Sequence, residues 1–428
     1  SGPAAGVIAA SYIGVNAGYP NIVSCDMGGT SFDVSLISGG QSKLAAQTSI
    51  DFGMVVRSPM VEIITIGAGG GSIAKVDAGG LLQVGPESAG SDPGPVCYGL
   101  GTKTPTVTDA NVVLGRINPE SPIGGRLERL DVDAALDAIN FHVAKPLGID
   151  VMDAAEAILR VANAKMASAI RLVSVERGHD PGIFAAMPFG GGGALHAGAL
   201  IREVGLSCAL VPRFPGITSA LGCVIADMRH DQVQTINKTL DDLDIILLDE
   251  EIVRRRSEGH AVLDNAGGIF DRRADQIELD MLYVGQTHTI SVVLPVSIKN
   301  GTCNVTKKVI QKAFDESYKL QFGRLLDGLG IKIMNVRVAV IGERPRFDLS
   351  VLAPSKNAKV ENAIKEKRQV YINKKWVGVT IYNRLDLPVA ASIDGPAILE
   401  QADTTIFLEH DATGVVDKFG NFRIEMKS

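Results

Sequence analysis

The 428-residue sequence predicts an α/β fold in three parts, and three observations carry that prediction. At three places an apolar, strand-like run leads straight into glycines: Ile22 to Cys25 before Gly28 and Gly29, Val61 to Ile66 before Gly67, Gly69, Gly70 and Gly71, and Ile183 to Pro188 before Gly190 to Gly193. Two long segments, Leu130 to Asn140 and Val151 to Arg177, carry apolar residues at helical spacing. Beyond Asp231 the texture changes to a short alternation of helix and strand, and from Arg346 onward it reads as nearly all strand. The expected parts are 1–231, 232–345 and 346–428.

Composition narrows the class. A hydrophobic content of 46% supplies a sizeable core and excludes a disordered chain. The 42 basic and 48 acidic residues leave a net charge of −6 with no basic stripe, so no nucleic-acid partner is expected. No run of about 18 apolar residues offers a membrane span. Nothing at the start resembles a signal peptide, so a cytoplasmic protein is expected. Cys25, Cys97, Cys208, Cys223 and Cys303 are odd in number and widely spaced, which argues against a disulfide framework or a cysteine zinc site.

Small and apolar residues from Ala4 to Ala17 suit a closely packed helix. In Asn21 to Ile37, NIVSCDMGGTSFDVSLI, the run Ile22–Cys25 and the alternation of Phe32, Val34 and Leu36 predict two strands joined by a glycine turn. Gly28 and Gly29 permit positive φ and close approach of backbone N–H groups to a ligand, and Thr30 and Ser31 add hydroxyls, so the turn suits phosphate. Asp26 and Asp33 flank it and would repel a bare phosphate. A bound phosphate therefore calls for Mg²⁺, with these two carboxylates as its ligands. On spacing alone, an ordinary hairpin whose glycines only make the turn stays equally open.

Gly69, Gly70 and Gly71 can turn backbone amides towards an anion, or can mark a tight crossover with no room for side chains. Lys75 to Val84 reads as a hairpin around Gly79 and Gly80, and Gly85 to Thr108 as a long irregular loop. Cys97 in that loop has no base near it in sequence and reads as structural. Thr108 or Asp109 suits the N-cap of the next helix. In Val151 to Arg177, the residues Ile158, Ala162, Met166, Ala169 and Val173 share a core-facing stripe, with Asp150 or Asp153 as cap and Gly178 as stop. Phe189 opens FGGGGALHAGALIREVG: strand, four-glycine turn, then a helix from Ala194 with His196 in its first turn. Further on, helices are expected over Leu240 to Arg256 and Thr306 to Phe322, the latter with Val309, Ile310, Phe314 and Phe322 inward. Strands are expected over Ile277 to Val296 and Met334 to Ile341. The strands from Arg346 onward read as a packing or subunit-contact module away from any ligand cleft, with Trp376 as a core anchor.

DMGGTSFDV resembles the second phosphate loop of the actin, sugar-kinase and Hsp70-type ATPases. The whole chain resembles the hydantoinase A/5-oxoprolinase family, which includes ATP-using subunits of acetone and acetophenone carboxylases. The resemblance runs through SGPAAG at Ser1, TIGAGGGSIAKVD at Thr65, PGPVCYG at Pro93, PTVTDANVVLGR at Pro105, FGGGGALHA at Phe189, PGITSALGCVIADMRHD at Pro215, YVGQ at Tyr283 and GPAILEQADTT at Gly395. It implies an actin/hexokinase/Hsp70-like (ribonuclease H-like) ATPase core, incomplete here, followed by a small α+β unit and a C-terminal β domain. ATP with Mg²⁺ would phosphorylate an amide or enol oxygen of a cyclic amide such as a hydantoin or 5-oxoproline, and water would then open the ring. Asp26 and Asp33 would serve metal and water positioning, Gly28, Gly29, Thr30 and Ser31 the phosphates, and Gly190, Gly191, Gly192 and Gly193 the nucleoside. The resemblance also implies site roles for Asp109, Asn111 and His196. The family usually has Ala where Gly192 stands and Pro where Ala194 stands. SGPAAG lies well inside longer family members, so a missing N-terminal half or chain with a sister GGT loop is expected, together with a hydantoinase B-type subunit. An ATP-using ketone carboxylase subunit and a non-catalytic nucleotide-binding scaffold are the alternatives.

Overall fold

The computed structural model describes residues 2–45, 48–49, 55–56, 60–125, 127–298, 301–326, 328–346, 348–354 and 358–427. The chain divides into two units. The first comprises Ser1–Leu44, Val61–Val224 and Asp348–Ser428, and the second Ala45–Met60 and Ile225–Phe347.

In the first unit the predicted hairpin forms from Ile22–Met27 and Phe32–Ser38, and its register sets Asp26 opposite Asp33. Val23, Cys25, Phe32 and Val34 are completely buried, as the run and the alternation predict, but past Val34 the alternation breaks: Ser35 and Ile37 are buried and Leu36 only partly so. Burial of a side chain such as Phe32 contributes about 2–3 kcal/mol. The hairpin lies inside a sheet that has nine strands among the described residues. Ile22–Met27 pairs in parallel with Ala185–Phe189, which pairs in parallel with Cys208–Val211. Two of the strand-to-glycine junctions therefore end side by side at the same edge, Asp26 aligned with Phe189.

The helix Gly2–Ala17 packs on the hairpin, and glycine decides how closely. A Cβ on Gly222 would overlap the carbonyl oxygen of Ala5, and one on Gly6 would lie 2.8 Å from Ser219 Oγ. The helix Thr218–Ile225 thus meets the first helix backbone to backbone. Val151–Val173 starts at its Asp150 cap, and the stripe Ile158, Ala162, Met166, Ala169 and Val173 is buried as predicted. Gly178 closes not this helix but a single 3₁₀ turn, Val175–Arg177, that follows it.

The C-terminal segment departs from expectation. Residues 348–428 belong to the first unit rather than forming a domain of their own. Phe422–Met426 pairs antiparallel with Cys208–Val211 and carries Ala412–Val416 and Ser392–Asp394 into the same sheet. Phe422 and Ile424 are fully buried, so the strands are part of the main core. Ile364–Ile372, Lys375–Asn383, Ala397–Gln401 and Thr404–Leu408 make a second, four-stranded sheet of that unit. Trp376 is half exposed and meets Tyr371 edge-on, so it anchors no core.

The second unit holds an antiparallel sheet in the order Met228–Thr239, Ile331–Glu343, Arg272–Tyr283, Ile290–Val293. The helices Ile245–Asn265 and Lys307–Phe322 accompany it. The first strand escaped the sequence reading because it is an edge strand, whose run RHDQVQTINKT offers no regular apolar alternation. The helix starting at Lys307 buries Ile310, Ala313, Phe314 and Tyr318, while Phe322, expected inward, is half exposed.

Candidate functional site

Three turns and one helix meet at a cavity of about 210 Å³ in the first unit. Gly28 and Gly29 line it from the hairpin turn, Gly70 from the second glycine turn, and Gly191, Gly192, Leu195 and His196 from the third. Thr108 and Asn111 line it from the helix Val107–Val113, and Tyr98, Ile117, Ile123, Leu127 and Leu130 complete an apolar wall.

The three turns differ in what glycine does there. Gly28 and Gly29 keep negative φ, contrary to the expected need for positive φ, but a Cβ on either would enter open space. Their bareness leaves room for a ligand. Gly69 is bare because a Cβ would sit 2.6 Å from the Gly29 carbonyl carbon and oxygen. The amides of this second turn are already engaged: Gly69 N–H donates to Ser72 Oγ at 2.8 Å, Gly70 N–H to Gly28 O at 3.0 Å and Gly71 N–H to Gly29 O at 2.6 Å. The anion-facing role expected for Gly69, Gly70 and Gly71 is therefore not available, and the alternative of a tight crossover holds. This turn braces the hairpin turn. Gly190 has φ +77°, and a Cβ there would lie 2.5 Å from Met27 O and 2.6 Å from Asp26 Oδ1. Gly190–Gly193 already forms a helical turn, and the regular helix begins later than expected, at Ala197.

Asp26 and Asp33 face each other across the hairpin. Ser31 Oγ donates to Asp33 Oδ2 at 3.2 Å, Thr65 Oγ1 donates to Asp33 Oδ1, and Ser219 Oγ donates to Asp26 Oδ2 at 3.3 Å. Burial, reinforced by the Asp33 charge and opposed by the Ser219 hydrogen bond, raises Asp26 to a pKa of about 6. Two opposed carboxylates in that state fit a hard cation, which would relieve both burial and repulsion. Among the described residues no third His, Cys, Asp or Glu completes a protein-only cage. That suits Mg²⁺, which typically takes one or two carboxylates and fills its shell with water and substrate phosphate.

Asp109 is placed differently from the site role implied by resemblance. It is fully buried, does not line the cavity, and accepts from the amides of Val96, Cys97 and Thr106 and from Thr106 Oγ1, at 2.8–3.2 Å. Thr106, not Thr108 or Asp109, is the N-cap, and Asp109 completes its capping box. The carboxylate ties the loop before the helix to the helix itself. Cys97 is structural, as read: its thiol is buried, and burial together with Asp109 pushes its pKa well up.

His196 and Asn111 remain on the cavity wall, each 2% exposed. His196 Nδ1 lies 2.6 Å from Asn163 Oδ1. Burial, then the Arg116 charge, lowers the pKa of His196 to about 3, so the ring is neutral. Arg116 itself lies 4.5 Å over the Phe407 ring.

A family model described as hydantoinase/oxoprolinase matches residues 1–232, and one for the hydantoinase/oxoprolinase C-terminal domain matches residues 270–426. The chain belongs to the hydantoinase/oxoprolinase family. Among relatives, caprolactamase subunit alpha of Pseudomonas jessenii is 35% identical over 95% of this chain and 58% of its own length. The acetophenone carboxylase gamma subunit of Aromatoleum aromaticum is 35% identical over 95% of this chain and 56% of its own. The ATP-dependent caprolactamase crystal structure matches with a TM-score of 0.77 and 33% identity, covering 99% of this chain and 61% of that one. The nucleotide-free acetone carboxylase structure matches with a TM-score of 0.81 and 27% identity, covering 100% of this chain and 61% of that one. The chain thus spans about 60% of the length of these relatives.

Within this hydantoinase/oxoprolinase chain, sequence reasoning assigned no role to Thr65, Ser219 or Asn163, which position Asp33, Asp26 and His196. Thr65 opens TIGAGGGSIAKVD, and Ser219 lies in PGITSALGCVIADMRHD. Asn163 carried a weak signal: a polar residue between Leu159 and Met166 on an otherwise buried helix face.

Proposed function

We propose that this chain is the nucleotide-binding part of an ATP-dependent cyclic-amide hydrolase built on an actin/hexokinase-like core, and that it works as a subunit in a cytoplasmic complex. The observation that carries the reading is that a bare Gly28–Gly29 turn and the Gly190–Gly193 turn meet at one cavity, with the opposed Asp26–Asp33 pair on the strands that flank the first of these turns. In this reading the Gly28–Ser31 turn receives the β and γ phosphates, and Gly190–Gly193 takes the nucleoside. Asp26 and Asp33 hold Mg²⁺, which supplies neutralising charge to the phosphates. The terminal phosphoryl group moves from ATP to the amide oxygen with ADP as the leaving group, and water then opens the activated ring with loss of phosphate. The chain's own share is positioning and electrostatics: Ser31 and Thr65 orient Asp33, and Ser219 orients Asp26. The cyclic amide, a B-type subunit and a further segment or chain that closes the nucleotide from the other side are the partners proposed. The 58% share of caprolactamase alpha that this chain covers supports the last.

The test uses the complete complex. Asp26→Asn and Asp33→Asn should each lower Mg²⁺-dependent ATP turnover with a lactam by about a hundredfold or more, as loss of an electrostatic group at a phosphoryl-transfer site does. Unchanged magnesium dependence in both variants would refute the assignment. A carboxylase reading has one observation in its favour, the TM-score of 0.81 to acetone carboxylase against 0.77 to caprolactamase. Phosphate release measured with a panel of lactams, and with ketones plus bicarbonate, separates the two.

A further inference from the structure

Asn111 and His196, which line the cavity, each carry a buried acceptor with no donor among the described residues, Asn111 Oδ1 and His196 Nε2. Asn111 Nδ2 donates to Val107 O at 3.1 Å, and turning the amide over would set oxygen against oxygen. With Asn163 oriented to present Oδ1, an acceptor, to His196 Nδ1, that nitrogen carries the hydrogen and Nε2 presents a lone pair. Buried acceptors left without donors are rare in folded proteins, and two of them on residues lining one cavity make it a place for a ligand that brings donors.

We propose that Asn111 and His196 recognise the 6-amino group of an adenine base in this cavity, and that they set a preference for ATP over 6-keto purine nucleotides. This rests on the nucleotide reading above. The cavity, about 210 Å³, has room for a planar base between Tyr98, Ile117, Ile123, Leu127, Leu130 and Leu195, with the glycines at its rim left for the sugar and phosphates. An exocyclic amine carries two N–H groups for two acceptors. A 6-keto oxygen would instead confront both lone pairs and leave the buried acceptors unpaired, which is the arrangement by which a polar pocket rejects a close analogue. A simple lactam offers one N–H and sets its carbonyl beside the second acceptor.

His196 thereby becomes a binding residue rather than the catalytic one implied by resemblance. Its environment holds the imidazole neutral across the physiological range, so it keeps its lone pair but is a poor proton acceptor.

The test is equilibrium binding by calorimetry to the full protein with its accompanying chains, using ATP, ITP and purine riboside triphosphate, which has hydrogen at position 6. Wild type should bind ATP roughly tenfold or more tightly than either analogue, the usual worth of a matched hydrogen bond or two. Asn111→Leu and His196→Phe should each bring that ratio to within about threefold. The ratio does not depend on how much of a variant preparation is folded, because both ligands titrate the same molecules. An unchanged ratio in both variants overturns the assignment and leaves the nucleotide reading standing. So does a loss of lactam affinity with the ratio intact, which would give the cavity to the cyclic amide. Absence of binding by any of the three nucleotides to wild type overturns both readings together.

Discussion

Asn at position 26 should stabilise the protein while disabling it. Asp26 is raised from an ordinary carboxylate value of 3.8 to about 6 by burial and by Asp33. At ~1.4 kcal/mol per pH unit, its charge disfavours the native state by about 3 kcal/mol at neutral pH. The sign follows from where the proton is held. The folded state binds it more tightly than the unfolded chain, so stability is greatest below about pH 4, falls as pH rises towards 6, and is level above that. An amide of the same shape cannot ionise and keeps the Ser219 hydroxyl within reach. Asp26→Asn should therefore match wild type near pH 4 and exceed it by about 1–3 kcal/mol at pH 8, the lower figure allowing for solvent that still reaches the group. The assay is chemical denaturation of both proteins from pH 4.5 to pH 8, read as the difference between them so that other titrating groups cancel. Millimolar Mg²⁺ should narrow the gap at pH 8 by stabilising wild type alone. A variant less stable than wild type at pH 8, or a difference that does not grow with pH, would refute the argument that these two carboxylates are held together at a cost.

Three further outcomes are expected. Gly69→Ala, whose Cβ would press on the Gly29 carbonyl, should lower stability by about 2–3 kcal/mol and weaken nucleotide binding together, measured by denaturation and calorimetry. Asp109→Ala leaves three buried amides and a hydroxyl without their acceptor. It should cost about 3–5 kcal/mol and speed amide exchange across residues 93–106, a structural effect that saturating ATP does not rescue. Iodoacetamide on the native protein should alkylate Cys223 rapidly and spare Cys25, Cys97, Cys208 and Cys303, as mass spectrometry of the labelled peptides would report.

The parts of this fold that follow a local rule were legible. The alternation in Ile22–Ile37 gave the hairpin and the opposition of its two acids, and the stripe from Ile158 to Val173 gave the long helix. What escaped depended on contacts distant in sequence. Gly69–Gly71 looks like an anion loop until the carbonyls of Gly28 and Gly29, some forty residues earlier, are seen to take its amides. Asp109 has the composition of a site residue and the partners of a loop anchor. The strand Phe422–Met426 has an ordinary β pattern that says nothing about which sheet receives it. The pairing of His196 with Asn163 joins residues from different elements, and only the unmet Nε2 marks it as open to a ligand.

The pairing of Phe422–Met426 with Cys208–Val211 makes the order of synthesis matter. A ribosome releases the acidic hairpin and its parallel neighbours early, then must deliver all of 225–347 and the strands after it before the sheet receives its closing strand. Until then Cys208–Val211 is an unpaired, wholly apolar edge, the kind of surface that recruits chaperones or other chains. Residues 225–347 interrupt the first unit in the chain, and the C-terminal strands return the chain to that unit's sheet.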